Sequence, residues 1–259
     1  MQPNSFRAAL QTSKPLIGSW INSASPIVTE IMAGAGFDFL CVDVEHSAVD
    51  LPQTQALFQA ARSGNPACHP IVRLHGVDYS LVKRFLDIGA GGVIAPLVNT
   101  PEQAEQLILA TKYPPVGNRG VGFCRANEYG RNLKQHFDHA NDDIMVAVQI
   151  EHHQGVDNID AILNVKGVDA VFIGPYDLSA SLGVTAQFEH PLYLEARNKV
   201  LDACDRHGII PGIHVVHPEP AELLQRIKEG YQLLAYSLDI TMLMDACDRG
   251  LRTIRQKLG

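Results

Sequence analysis

Apolar residues in this chain fall into short runs of period two, separated by longer stretches whose apolar positions recur every three to four residues. Between Met145 and Glu151, the residues Val146, Val148 and Ile150 alternate with Met145, Ala147, Gln149 and Glu151. That is the signature of a strand. One face is wholly aliphatic, and the other turns polar only at its end. The run Val171-Phe-Ile-Gly-Pro-Tyr-Asp177 stays apolar until Gly174-Pro175 stops it, with Asp177 in the turn. Two strands thus each deliver a carboxylate at the C-terminal end, with a helix-length connection between them.

The same punctuation recurs along the chain. Further strands are predicted over Leu16 to Ile21, Phe37 to Glu45, Pro70 to His75, Gly92 to Val98, Ile209 to Val216 and Leu233 to Ser237. Ser25-Pro26 and Thr100-Pro101-Glu102 supply an N-cap followed by proline at the first helical position, and Gly34, Gly89 and Gly230 mark helix ends. Helices are predicted over Asp50 to Arg62, Tyr79 to Ile88 and Pro218 to Lys228, and from Asp239 or Ile240 onwards. Eight alternating units predict an α/β fold, a parallel (β/α)8 barrel in which residues 1–259 form one domain. An open doubly wound sheet is the alternative. Its nucleotide-binding form needs a glycine-rich turn after the first strand, where Asn22-Ser-Ala-Ser25 stands instead. One irregular insertion, Tyr113 to Asp143, is expected to serve function or subunit contact.

Composition narrows the class. A chain of 259 residues, 46% hydrophobic and 19% charged, has the content of a well-buried globular core. The net charge of -7, without a basic run, argues against a nucleic-acid partner. No stretch is long and apolar enough to span a membrane, and Met1-Gln-Pro-Asn-Ser-Phe lacks the basic and apolar regions of a leader, so a cytoplasmic location is expected. Cys41, Cys68, Cys124, Cys204 and Cys247 are scattered and read as reduced thiols.

Chemistry in such a barrel sits where strands end. There the sequence places Asp43, Glu45 and His46 after the second strand, Arg73 and His75 on the third, Gln149 and Glu151 on the fifth, Asp177 after the sixth and His214 on the seventh. Each has an ordinary structural reading: Arg73 could pair with Asp43 or Glu45, a lone histidine could lie at the surface, and Asp177 could cap a helix. Their clustering at one rim favours a shared site. Two carboxylates without paired metal-spaced Cys or His suit Mg²⁺ or Mn²⁺, with Co²⁺ also compatible. So few protein ligands imply a chelating small-molecule substrate, of which a 2-oxo acid is the simplest. Arg73 could hold the oxyanion that forms on enolisation, and His46 could carry a proton near neutral pH. Lys83, Lys112 and Lys166 fall outside the expected barrel interior, which leaves no Schiff-base lysine.

At these positions the chain resembles the HpcH/HpaI aldolase family, metal-dependent pyruvate aldolases of the phosphoenolpyruvate/pyruvate barrel superfamily. The resemblance lies in Ala33-Gly-Ala-Gly-Phe-Asp38, Asp43-Val-Glu-His46, Val72-Arg73, Tyr113-Pro-Pro-Val-Gly-Asn-Arg-Gly-Val-Gly122, Val148-Gln-Ile-Glu151 and Gly167 to Ser179. It covers nearly the whole chain in order. It implies Glu151 and Asp177 as metal ligands, His46 as a base acting through a water, and Asp87 as the carboxylate partnering it. It further implies Arg73 as the enolate-stabilising group and Gln149 as a polar contact to substrate. Asp43 is a supporting acid on the substrate side, with Trp20 also beside the substrate. The backbone N–H groups of Tyr176 and Asp177 would bind the pyruvate carboxylate.

The implied reaction is reversible cleavage of 4-hydroxy-2-oxo acids to pyruvate and an aldehyde. The implied assembly is a homo-hexamer with the last helix exchanged between subunits and the loop Arg119 to Arg125 completing a neighbour's site. Two departures stand out. Tyr176 occupies a position where several relatives carry a small residue. His214, with His217 close behind, replaces an apolar residue near the aldehyde, which suits a hydroxylated or anionic acceptor such as tartronate semialdehyde. Oxaloacetate decarboxylation, a macrophomate-synthase-like condensation, a citrate-lyase-β-like acyl-CoA lyase and a noncatalytic 2-oxo-acid sensor are the rival readings.

Overall fold

A computed structural model describes residues 5–12 and 14–258. Most of the segment used to judge a leader, Met1 to Asn4, lies outside these residues. Eight parallel strands close in sequence order: β1 (Leu16–Ile21), β2 (Phe39–Asp43), β3 (His69–Arg73), β4 (Gly92–Ala95), β5 (Met145–Ile150), β6 (Ala170–Ile173), β7 (Ile210–Val215) and β8 (Leu233–Leu238). β8 returns to pair with β1, with a register irregularity between Gly18 and Trp20. The (β/α)8 barrel is the fold, and among the described residues no helix is long and apolar enough to cross a membrane.

Strand alternation divides the core in two. Val146, Val148 and Ile150 face outward into the larger cluster with the surrounding helices. Met145 and Ala147 face inward with Trp20, Phe39, Ile71, Ile94, Phe172 and Leu233, and together they fill the barrel interior. Gly18 is required here, because a Cβ on it would stand 2.4 Å from the Phe39 ring. Beneath these layers, Phe6 on the helix Phe6–Leu10 packs against Phe39 and His69 and covers the N-terminal end. Arg7 holds that helix down through a 2.6 Å bond to Asp169 at the foot of β6.

Helix starts follow the sequence signals. Asp50 and Thr100 each form a full capping box, with Gln53 and Gln103 respectively. Differences are local. β2 ends at Asp43 rather than Glu45, because the Asp43 carboxylate accepts from the Glu45 and His46 amides and bends the chain out of the sheet. His75 likewise lies beyond β3 and is exposed. The insertion from Tyr113 to Asp143 is more ordered than its sequence indicates, with a 3-10 segment Arg125–Gly130 and a helix Leu133–Asp143. Lys112 pins this insertion: its buried Nζ donates to the carbonyls of Asn141 (2.7 Å) and Ile144 (2.9 Å).

Candidate active site

The centre of the rim is a buried ion pair. Asp43 and Arg73 are register partners on β2 and β3, and Arg73 grips the carboxylate with both Nε (2.9 Å) and Nη2 (2.6 Å). Asn22 Nδ2 adds a third donor at 2.9 Å. Burial pushes the Asp43 carboxyl up, but the Arg73 bonds outweigh it and hold it below the usual carboxylate range. The pair fixes the guanidinium, whose Cζ lies 4.1 Å from the centroid of the Trp20 ring. Trp20 in turn stacks on His214, with ring centroids 5.2 Å apart.

Glu151 emerges at the top of β5 almost fully buried. Its Oε1 accepts from the Leu97 amide at 2.8 Å, and its Oε2 accepts from Gln149 Nε2. The Leu97 amide is aimed by a left-handed backbone, φ +52°, unusual for leucine. Burial raises the Glu151 pKa to about 7; the Gln149 and Leu97 bonds pull it down, while Glu45 and Asp177 push it up. Gly174 makes room for this side chain, since a Cβ there would sit 2.7 Å from Glu151 Oε2.

Asp177 stands exposed in the first turn of the helix Pro175–Ser181. Glu45, which the sequence offered only as a structural partner for Arg73, stands beside that guanidinium. Its buried Oε2 makes no hydrogen bond, lies 3.4 Å from Arg73 Nε, and its carboxyl is raised by burial and by neighbouring Asp43 and Asp177. Its place two residues after Asp43 was the available signal.

Glu45, Glu151 and Asp177 raise the cost of one another's charge, and the buried Glu45 Oε2 and Gln149 Oε1 have no hydrogen-bond partner, so the rim offers oxygen donors of the kind a hard divalent cation takes. Among the described residues no group of three or more His, Cys, Asp or Glu side chains is placed to hold a metal ion, so a cation here would rest on at most two carboxylates, with substrate and water oxygens completing its shell.

A cavity of about 90 Å³ lies beside this rim, lined by Trp20, Arg73, Gln149, Tyr176, Asp177 and His214 among others, with Glu45 and Glu151 outside its lining. No lysine lines it. A second cavity, about 300 Å³, shares Tyr176 and His214 with it as a common wall. A larger one, about 840 Å³, lies at the opposite end of the barrel against Phe6, His69 and Arg125. Chemistry rather than size therefore locates the site.

His46 is at the rim with a largely exposed side chain, Nε2 3.8 Å from Glu45 Oε2. Asp87 is elsewhere. It ends the helix Tyr79–Asp87, which runs back down the barrel, and it binds Arg119 Nη2 at 2.7 Å near the start of β4. The expected pairing of Asp87 with His46 is not made within one subunit, because β3 separates the two ends.

The chain matches the family described as HpcH/HpaI aldolase/citrate lyase over residues 16–246. It is 37% identical over 259 residues to 5-keto-4-deoxy-D-glucarate aldolase of Escherichia coli, covering 98% of both chains. An HpcH/HpaI aldolase/citrate lyase family protein from Burkholderia cenocepacia superposes with a TM-score of 0.92 at 34% identity, covering 97% of this chain and 99% of that one. An HpcH/HpaI aldolase from Desulfitobacterium hafniense does so at 0.90 and 35%, covering 97% and 96%. The chain belongs to the HpcH/HpaI aldolase/citrate lyase family. It is accordingly a carbon–carbon lyase, a pyruvate aldolase of class II.

Proposed function

We propose that this aldolase cleaves 4-hydroxy-2-oxo acids to pyruvate and an aldehyde with Glu151 and Asp177 holding a divalent cation, Mg²⁺ or Mn²⁺. The observation that carries this is the crowding of Glu45, Glu151 and Asp177 beside a guanidinium already neutralised by Asp43. A cation held there would supply Lewis-acid polarisation of the substrate's keto oxygen.

The chain's own residues do the rest. Arg73, locked by Asp43, faces the small cavity and stabilises the negative charge that grows on that oxygen as the C3–C4 bond breaks. The amides of Tyr176 and Asp177 receive the pyruvate carboxylate, and Gln149 and Trp20 orient the keto acid. His46 takes the proton from the 4-hydroxyl and returns one to the methylene carbon left behind. Glu45 supports this histidine from within the subunit.

Asp87 reaches a His46 only across a subunit boundary, which is how the homo-hexamer enters our reading. Two features support association. The helix Asp239–Leu258 exposes Leu243, Met244, Leu251 and Ile254, and the insertion exposes Val121 and Phe123. The Escherichia coli relative named for a sugar-acid substrate supports a hydroxylated acceptor. Pyruvate release from a panel of 4-hydroxy-2-oxo acids tests the proposal. Release is expected to vanish with EDTA and return with Mg²⁺ or Mn²⁺. Release that persists under chelation, or a borohydride-trapped adduct, would overturn it.

A further inference from the structure

His214 stands at the junction of the two cavities, and its protonation pattern is fixed by the strand beside it. Nε2 lies 3.1 Å from the carbonyl oxygen of Ser237 on β8. A carbonyl only accepts, so Nε2 carries the proton. That carbonyl is itself held: Ser19 Oγ donates to it at 3.0 Å, and Ser237, at φ +53°, anchors its own hydroxyl on the Val216 carbonyl at 2.9 Å. Enclosure between Trp20 and the barrel wall drives the His214 pKa down to about 4; the Ser237 bond pushes up, and the nearby Arg73 charge pushes down. The ring is therefore neutral at physiological pH. Its Nδ1 has a bare lone pair and makes no hydrogen bond among the described residues.

The chambers divide the substrate. About 90 Å³ is roughly the space of three waters, enough for one small keto acid. The aldehyde half must therefore lie towards the 300 Å³ cavity, whose walls include Tyr176, Phe188, Tyr193 and His217. An aldehyde that meets the keto acid from the larger cavity lies beside His214, which lines both, and the carbon next to its carbonyl is the nearest one that can carry a hydroxyl. A lone pair there attracts a hydroxyl and repels a carboxylate. Resting on the aldolase reading above, we propose that His214 Nδ1 accepts a hydrogen bond from a hydroxyl on that carbon, so that the preferred acceptors are 2-hydroxy aldehydes.

The test is condensation of pyruvate, in the Mn²⁺-loaded protein, with glycolaldehyde and with its near-isostere propanal. The quantity read is the ratio of the two kcat/KM values within each protein, in which any general loss of rate cancels. His214→Leu should lower the glycolaldehyde preference roughly three- to tenfold, the worth of one neutral hydrogen bond. His214→Asn places an amide oxygen near the Nδ1 position and should keep the preference. His214→Gln places its amide near Nε2 and should lose it, and this pair decides the matter where the leucine variant does not fold. An unchanged ratio in both the Leu and Gln variants would overturn the proposal. A shift confined to succinic semialdehyde against butanal would also overturn it, since His214 would then be reading charge. Deuterium exchange into the pyruvate methyl by the unmodified protein is read separately. Its absence would sink the aldolase reading itself.

Discussion

Replacing Glu151 with glutamine should stabilise the cation-free protein while abolishing cation binding. In the folded chain Glu151 titrates at about 7 against an ordinary value of 4.5. Below pH 4.5 it is protonated both folded and unfolded and contributes nothing. As pH rises towards 7 the unfolded chain ionises first, so folded-state stability falls, and above 7 the loss is complete. That gap corresponds to about 3 kcal/mol. Glutamine removes the loss and can be accommodated. The Leu97 amide still finds an oxygen, and a flipped Gln149 would offer the new amide its unpartnered Oε1.

Urea unfolding with EDTA at pH 5 and pH 8 gives the comparison. The difference between variant and parent, rather than either curve alone, isolates this group from His69 and His214, both of which burial also perturbs. The variant should gain about 2.5 kcal/mol on the parent between the two pH values, since part of the loss is already present at pH 5. Adding Mn²⁺ at a hundred times its Kd should restore about 2.7 kcal/mol to the parent and almost nothing to the variant. A pH-independent difference, or equal stabilisation of both by Mn²⁺, would refute the reasoning.

Asp43→Asn leaves the Arg73 guanidinium buried without its counter-charge and should cost about 3 kcal/mol in urea unfolding, together with loss of pyruvate methyl exchange. Gly174→Ala drives a methyl against Glu151 Oε2 and should weaken Mn²⁺ binding at least about tenfold by calorimetry, with the far-ultraviolet circular dichroism unchanged.

Legibility in the sequence followed how local each signal was. Val146, Val148 and Ile150 announce β5 because period-two alternation depends on neighbouring residues alone, and the inner and outer clusters obey it. The caps at Asp50 and Thr100 are local in the same way. The insertion was opaque because the helix Leu133–Asp143 has no side-chain N-cap bond and is held by a tertiary contact, the Lys112 ammonium. The part played by Glu45 depends on how the chain bends after Asp43, which alternation does not encode. The resemblance supplied Asp87 as a partner for His46, but the direction in which its helix runs carries it to the other end of the subunit.

The aromatic and aliphatic packing that fills the barrel, with Phe6 closing its foot, also dictates the traffic through the site. On the proposed reading both products leave by the strand-end rim, where the two cavities meet at Tyr176 and His214. With the keto acid in the smaller cavity, as proposed, the aldehyde stands between it and the larger one. On that reading cleavage releases the aldehyde first and pyruvate last, and synthesis loads them in the reverse order.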